Sequence, residues 1–175
     1  DLFNINNVNN NLIMLKIAKY ISQSSLIRKN LLLKKFLKLL VKIASKVIYG
    51  KYKKIRIANK YSFLFDSCFA FKNYHNWGLG HNKGFAKLLD ISKNKKVIFD
   101  IGAHIGLCTL PLSRLALNIV SFEASPTNFK YLKKHLKINS ISNVKLAPFL
   151  VGKENIKNVN FYDVGEGSGI PSIVN

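Results

Sequence analysis

Two short runs in this chain combine residue types that could hold a small organic ligand. The first, Asp100-Ile101-Gly102-Ala103-His104-Ile105-Gly106, follows the apolar run Val97-Ile98-Phe99. The second is Glu123, which closes the apolar run Ile119-Val120-Ser121-Phe122 and stands 21 residues after Gly102. Gly102 can take a positive φ and lets a ligand approach the backbone. Gly106 lets the following helix pack tightly, and the N–H groups of that helix's first turn face the space above the strand ends. A carboxylate at the tip of a second strand can accept hydrogen bonds from both ribose hydroxyls of an adenosine. Asp100 can orient the loop and meet a cationic amino group. Dinucleotide loops read G-x-G-x-x-G, and their middle glycine admits a pyrophosphate. Here Ala103-His104 fill that place, so the spacing fits a phosphate-free adenosine ligand, S-adenosylmethionine (AdoMet).

These residues need a parallel sheet with short crossovers to bring them to one edge. Val97-Ile98-Phe99 reads as a strand buried on both faces. An apolar helix then runs to about Leu115, with Pro111 expected to kink or shorten it. Ile119 to Phe122 is the second strand. Ser125 is a suitable N-cap with Pro126 at the first helical position, and Phe129, Leu132 and Leu136 point inward. Val144 to Phe149 is a third strand and Asn158 to Tyr162 a fourth. Strand and helix alternate, which implies an α/β, Rossmann-like sheet with right-handed crossovers. His135, flanked by Lys134, reads as a surface residue.

Upstream, residues 1–10 are Asn-rich loop and residues 11–49 are helical in pattern. Leu33, Phe36, Leu37, Leu40, Ala44, Val47 and Ile48 make an apolar stripe; Lys34, Lys38, Lys42 and Lys46 fall four apart, with Lys35 beside them. This basic amphipathic helix can cover its own domain, pack on a partner or lie on an anionic membrane surface. One or two strands are expected (Lys54–Ile57, Ser62–Phe65), and a short helix at Phe85–Leu89. Between them a loop carries His75, Trp77 and His81. We read these rings as packing over the sheet edge, with a general-base role as the alternative. The expected organisation is a basic helical segment (1–60), a strand and loop lead-in (61–95) and a cofactor-binding half-domain (96–175).

The chain has 175 residues and a net charge of +20, and residues 1–60 hold 14 Lys/Arg against one acid. Such a segment attracts nucleic acid or lipid headgroups, although an A/T-rich coding bias toward Lys, Asn and Ile gives the same excess. The two cysteines, Cys68 and Cys108, form no CxxC pair and no metal-spaced cluster, and read as buried thiols of a reducing compartment. No uncharged apolar run approaches the roughly 18 residues of a spanning helix. The expected location is cytoplasmic, or peripheral at the inner membrane face. The absence of an initiating Met and the stop at Asn175 suggest a fragment, expected to be inactive alone.

The two runs, with Ala124-Ser125-Pro126-Thr127-Asn128 and the Leu132-to-Asn139 stretch, resemble the FkbM family of methyltransferases across residues 77–170. That family reads D-x-G-A-N-x-G and F-E-P-x-P-x-N at these places. His104 stands for the commoner Asn, tolerable where only backbone contacts count, and Ala124 stands for a Pro. The resemblance implies that Asp100, Gly102 and Gly106 line the methionine side of AdoMet and that Glu123 holds the ribose. It implies that Ala103, His104 and Ala124 also belong to the cofactor site and that Leu150 and Val151 lie beside the adenine. It further implies O-methylation of a hydroxyl on a glycan or small molecule. The family's later K-x-D-x-E-G-like strand is absent, so no acceptor-side residue is assigned. Two alternatives stay open: an RNA methyltransferase that uses the basic segment as its grip, and a non-enzymatic membrane-surface module with a vestigial pocket.

Overall fold

The computed structural model describes residues 16, 24, 29–70, 72, 74, 77, 82–154, 161–162 and 172–173. The expected loop at 1–10, the first part of the 11–49 helix, His75, His81 and residues 158–160 lie outside them. The chain divides into two compact units, Asp1–Lys53 with Phe65–Asn73, and Lys54–Leu64 with Tyr74–Asn175.

In the first unit, helix α1 (Leu31–Tyr49) starts where the Asn30 side chain accepts from the Leu33 N–H at 3.0 Å. It ends at Gly50, which has a φ of 67°. It packs on a short 3-10 turn, Ser67–Phe69, whose Phe69 is buried. The face of α1 that turns inward centres on Ser45, while Leu33, Phe36, Leu40 and Val47 are exposed. The expected stripe is therefore largely open to solvent, because the buried face is a narrow one beside the turn.

Strands β1 (Tyr52–Ile57) and β2 (Tyr61–Asp66), which cover both expected strand segments, pair as a hairpin, with Ile55, Ile57, Phe63 and Phe65 buried. Its turn uses positive φ at Ala58 and Asn59. In the second unit, the backbone of Leu64 is bridged by Asn139, whose side chain accepts from its N–H and donates to its carbonyl, both at 2.8 Å. One amide side chain thus does for the edge of the hairpin what a neighbouring strand would do. Arg114 lies 4.2 Å from the centre of the Phe63 ring.

Helix α2 (Phe85–Ile91) leads to the sheet of β3 (Val97–Ile101), β4 (Asn118–Phe122) and β5 (Val144–Ala147), all parallel, in the order β3-β4-β5. The crossovers are helix α3 (Thr109–Leu112) and helix α4 (Pro126–Ile138). The fold is therefore α/β and Rossmann-like. Helix α3 is only four residues long and contains Pro111, consistent with the expected shortening. Ser125 caps α4 by accepting from the Asn128 N–H at 3.1 Å.

Three expectations need correction. In the order β3-β4-β5, right-handed crossovers put both helices on one face, and the face that carries Ile119 and Ser121 is the covered one, with those residues exposed by 1% and 0%. The opposite face, with Val97, Phe99 and Ile101, is half or more exposed, so β3 is not covered on both sides among the described residues. Of the expected fourth strand only Phe161–Tyr162 (β6) are described, and among the described residues they pair antiparallel with β7 (Ser172–Ile173) rather than with the parallel sheet. His135 is fully buried rather than on the surface. Three- and four-residue steps from Asn128 through Leu132 to His135 put it on the inward side of α4.

Candidate functional site

A parallel sheet sends all its carboxyl ends to one edge, and the register partners Ile101, Phe122 and Ala147 mark that edge here. Residues 102–106, 123–125 and 148–151 leave the sheet there, so nearly all the sequence-predicted residues are brought together. The loop after β3 is held strand by strand. The amides of Gly102 and Ala103 both donate to the Phe122 carbonyl at 2.9 Å. Gly102 has a φ of 80°, is exposed, and a Cβ placed on it would meet nothing within 4 Å. The backbone here is open to close approach from solvent.

His104 follows with a φ of 55°, which costs on the order of 1–2 kcal/mol for a residue with a side chain. Its backbone amide donates to Glu123 Oε2 at 2.7 Å, and the Ser125 amide donates to Glu123 Oε1 at 2.8 Å. Glu123 is only 6% exposed. Its carboxylate therefore fastens the first loop to the second, with each oxygen already accepting from one amide and keeping lone pairs for another donor. The Glu123 N–H in turn reaches the Ala147 carbonyl at 3.1 Å, tying in the end of β5.

Gly106, with a φ of 100°, ends the loop under helix α4: a Cβ there would lie 3.0 Å from Leu132 Cδ1 and 3.4 Å from Leu110 Cγ. Ala103 is buried, Ala124 half-buried, and Leu150 and Val151, which follow β5, are exposed. Asp100 points into the helix-covered layer, where Thr109 Oγ1 donates to its Oδ2 at 2.5 Å. Thr109 Oγ1 and Ser121 Oγ are 3.1 Å apart. Burial pushes the Asp100 carboxyl above its ordinary value; the Thr109 hydrogen bond opposes this. Burial, with the neighbouring Asp100 charge, pushes the Cys108 thiol up to about 12. Neither Cys68 nor Cys108 forms a disulfide, and both are half-buried rather than buried as expected.

Sequence reasoning missed Thr109, Ser121 and His135. The first two were legible as hydroxyls inside otherwise apolar segments, with Ser121 in register with Asp100. His135 Nδ1 lies 2.8 Å from the Ile105 carbonyl, so a ring nitrogen holds the loop from the helix side. Trp77, of the aromatic loop, meets Phe85 edge-on at 6.4 Å, which is a packing contact. A separate cavity of about 220 Å3, lined by Lys60, Tyr61, Phe85 and Leu89 among others, contains none of the predicted site residues.

No protein-family model matches the chain. Over 114 residues it is 28% identical to the tRNA(Phe) (4-demethylwyosine(37)-C(7)) aminocarboxypropyltransferase of Methanocaldococcus jannaschii, covering 64% of this chain and 43% of that protein. Among solved structures, it is similar to M. jannaschii TYW2 in complex with AdoMet, at 27% identity and a TM-score of 0.42, over 56% of this chain and 44% of that one. It is also similar to M. jannaschii Trm5 in complex with adenosine, at 23% identity and a TM-score of 0.39, over 58% of this chain and 30% of that one. The chain thus spans less than half the length of the curated relative it matches.

Proposed function

We propose that this chain is the AdoMet-binding part of a methyltransferase whose acceptor is RNA. The observation that carries the cofactor reading is the open cradle at Gly102, bounded by a loop that Glu123 ties to the second strand. AdoMet supplies an electrophilic carbon on a sulfonium, which needs no metal and no phosphate site. The residues present fit it: Gly102 leaves backbone free to approach, Glu123 keeps lone pairs for hydroxyl donors, and exposed Leu150 and Val151 offer an apolar flank for a base. What these side chains contribute is position, because alignment alone can supply about 7–11 kcal/mol of a transfer barrier.

The acceptor reading rests on the tRNA-modifying relative and on the excess of Lys and Arg, 28 against 8 acids. The expectation of a glycan hydroxyl draws no support from that relative. The test is label transfer by the intact protein that carries this chain, with RNA and carbohydrate offered together. Methyl-labelled AdoMet is expected to label RNA only. Label confined to carbohydrate contradicts the RNA reading. Transfer from carboxyl-labelled AdoMet to RNA would keep the acceptor and replace methyl by aminocarboxypropyl transfer.

A further inference from the structure

We infer that His135 is a positioning residue for the cofactor loop, an inference that rests on the AdoMet reading above. Residues 102–106 include three positive-φ positions, Gly102, His104 and Gly106. Such a loop keeps its shape only where its polar groups are tied down from outside. The Gly102 and Ala103 amides are tied to Phe122, the His104 amide to Glu123, and the Gly106 amide closes on the Ala103 carbonyl at 2.9 Å. The Ile105 carbonyl, on a residue with no exposure at all, receives the His135 ring nitrogen at 2.8 Å. A carbonyl can only accept, so Nδ1 carries the proton in this contact.

His135 lies on α4, with Leu132 one turn before it; a Cβ on residue 106 would lie 3.0 Å from Leu132 Cδ1, so α4 leaves room there only for glycine. Helix α4 therefore bears on the loop twice, by close packing at Gly106 and by a hydrogen bond at Ile105. The loop lies between Glu123 on the strand side and His135 on the helix side, and its ligand-facing backbone at Gly102 is set by both. Removing the His135 donor leaves a buried acceptor unpaired, and the cheapest escape is for the loop to turn that carbonyl elsewhere. Such a turn changes φ and ψ within the same five residues that carry the cradle.

The test compares His135→Leu, which removes the donor, with His135→Asn, whose side-chain amide nitrogen can occupy the place of Nδ1. AdoMet is the titrant for calorimetry on the 175-residue chain, and thermal unfolding is followed in parallel. Leu89→Ala, in a buried position of α2, serves as a control for general loss of stability. His135→Leu is expected to weaken AdoMet binding about tenfold or more, and His135→Asn to stay within about threefold of the parent. The control is expected to lower the unfolding temperature without that loss of affinity. Equal affinity in His135→Leu and the parent overturns the inference and leaves the AdoMet reading standing. So does a Leu89→Ala protein that loses affinity in step with stability. Failure of the parent chain to bind AdoMet overturns the reading and the inference together.

Discussion

Removing the Glu123 carboxylate tests how the site is built, because the structure gives that group two amide partners before any ligand arrives. Glu123→Ala leaves the His104 and Ser125 N–H groups without acceptors in a place where the side chain was 6% exposed. Each buried donor left unpaired costs about 1–3 kcal/mol, so the expected loss of folding stability is roughly 2–6 kcal/mol. Glu123→Gln keeps one oxygen acceptor but turns an NH2 toward the other amide, so it should lose about half as much. AdoMet affinity should fall by about 2–3 kcal/mol in the alanine variant, roughly 30- to 150-fold. Urea unfolding gives the first quantity and calorimetry the second. A residue that served only to hold a ribose would lose affinity with no loss of stability. An alanine variant as stable as the parent would therefore refute the account of Glu123 as the tie between loops.

Gly106→Ala should cost about 2–4 kcal/mol in urea unfolding, because a φ of 100° is strained for alanine and the new methyl meets Leu132; a neutral result would mean that the loop and α4 are looser than drawn. Asp100 carries a raised pKa, so the folded state binds more protons than the unfolded one above the ordinary value of 3.8, and its contribution to stability falls as pH rises through that window. Asp100→Asn should therefore be more stable than the parent at neutral pH and should show a flatter stability profile from about pH 4 upward. A steeper profile would reverse the assignment. Helix α1 exposes Leu33, Phe36, Leu40 and Val47 beside several lysines, so the chain should sediment with anionic vesicles, be released by high salt and ignore neutral vesicles. If it ignores both, the membrane reading of α1 is dropped.

Local signals carried much of this fold into view. Gly102 and Gly106 marked a loop that needs positive φ, and Ser125-Pro126 marked a helix start whose cap the structure contains. Other features depended on three-dimensional facts that no local pattern holds. An apolar run such as Val97 to Phe99 reads as doubly covered, yet coverage depends on which side the crossovers fall and on what else packs there. His135 looked like surface because lysines surround it in sequence. Counting three and four residues from Asn128 and Leu132 puts it inward, so the helical period was the better guide. The role of Asp100 was half legible: an acid at a strand end was visible, but its partner Thr109 lies on a helix whose orientation only the fold sets.

The central claim is that the carboxyl edge of β3, β4 and β5 binds AdoMet, and amide hydrogen exchange with and without AdoMet tests it most directly. Protection is expected at residues 102–106 and 123–125, where backbone amides of Gly102, Ala103, His104 and Ser125 hold the two loops together. Binding with protection confined to other segments, or no binding at saturating AdoMet, would contradict the account.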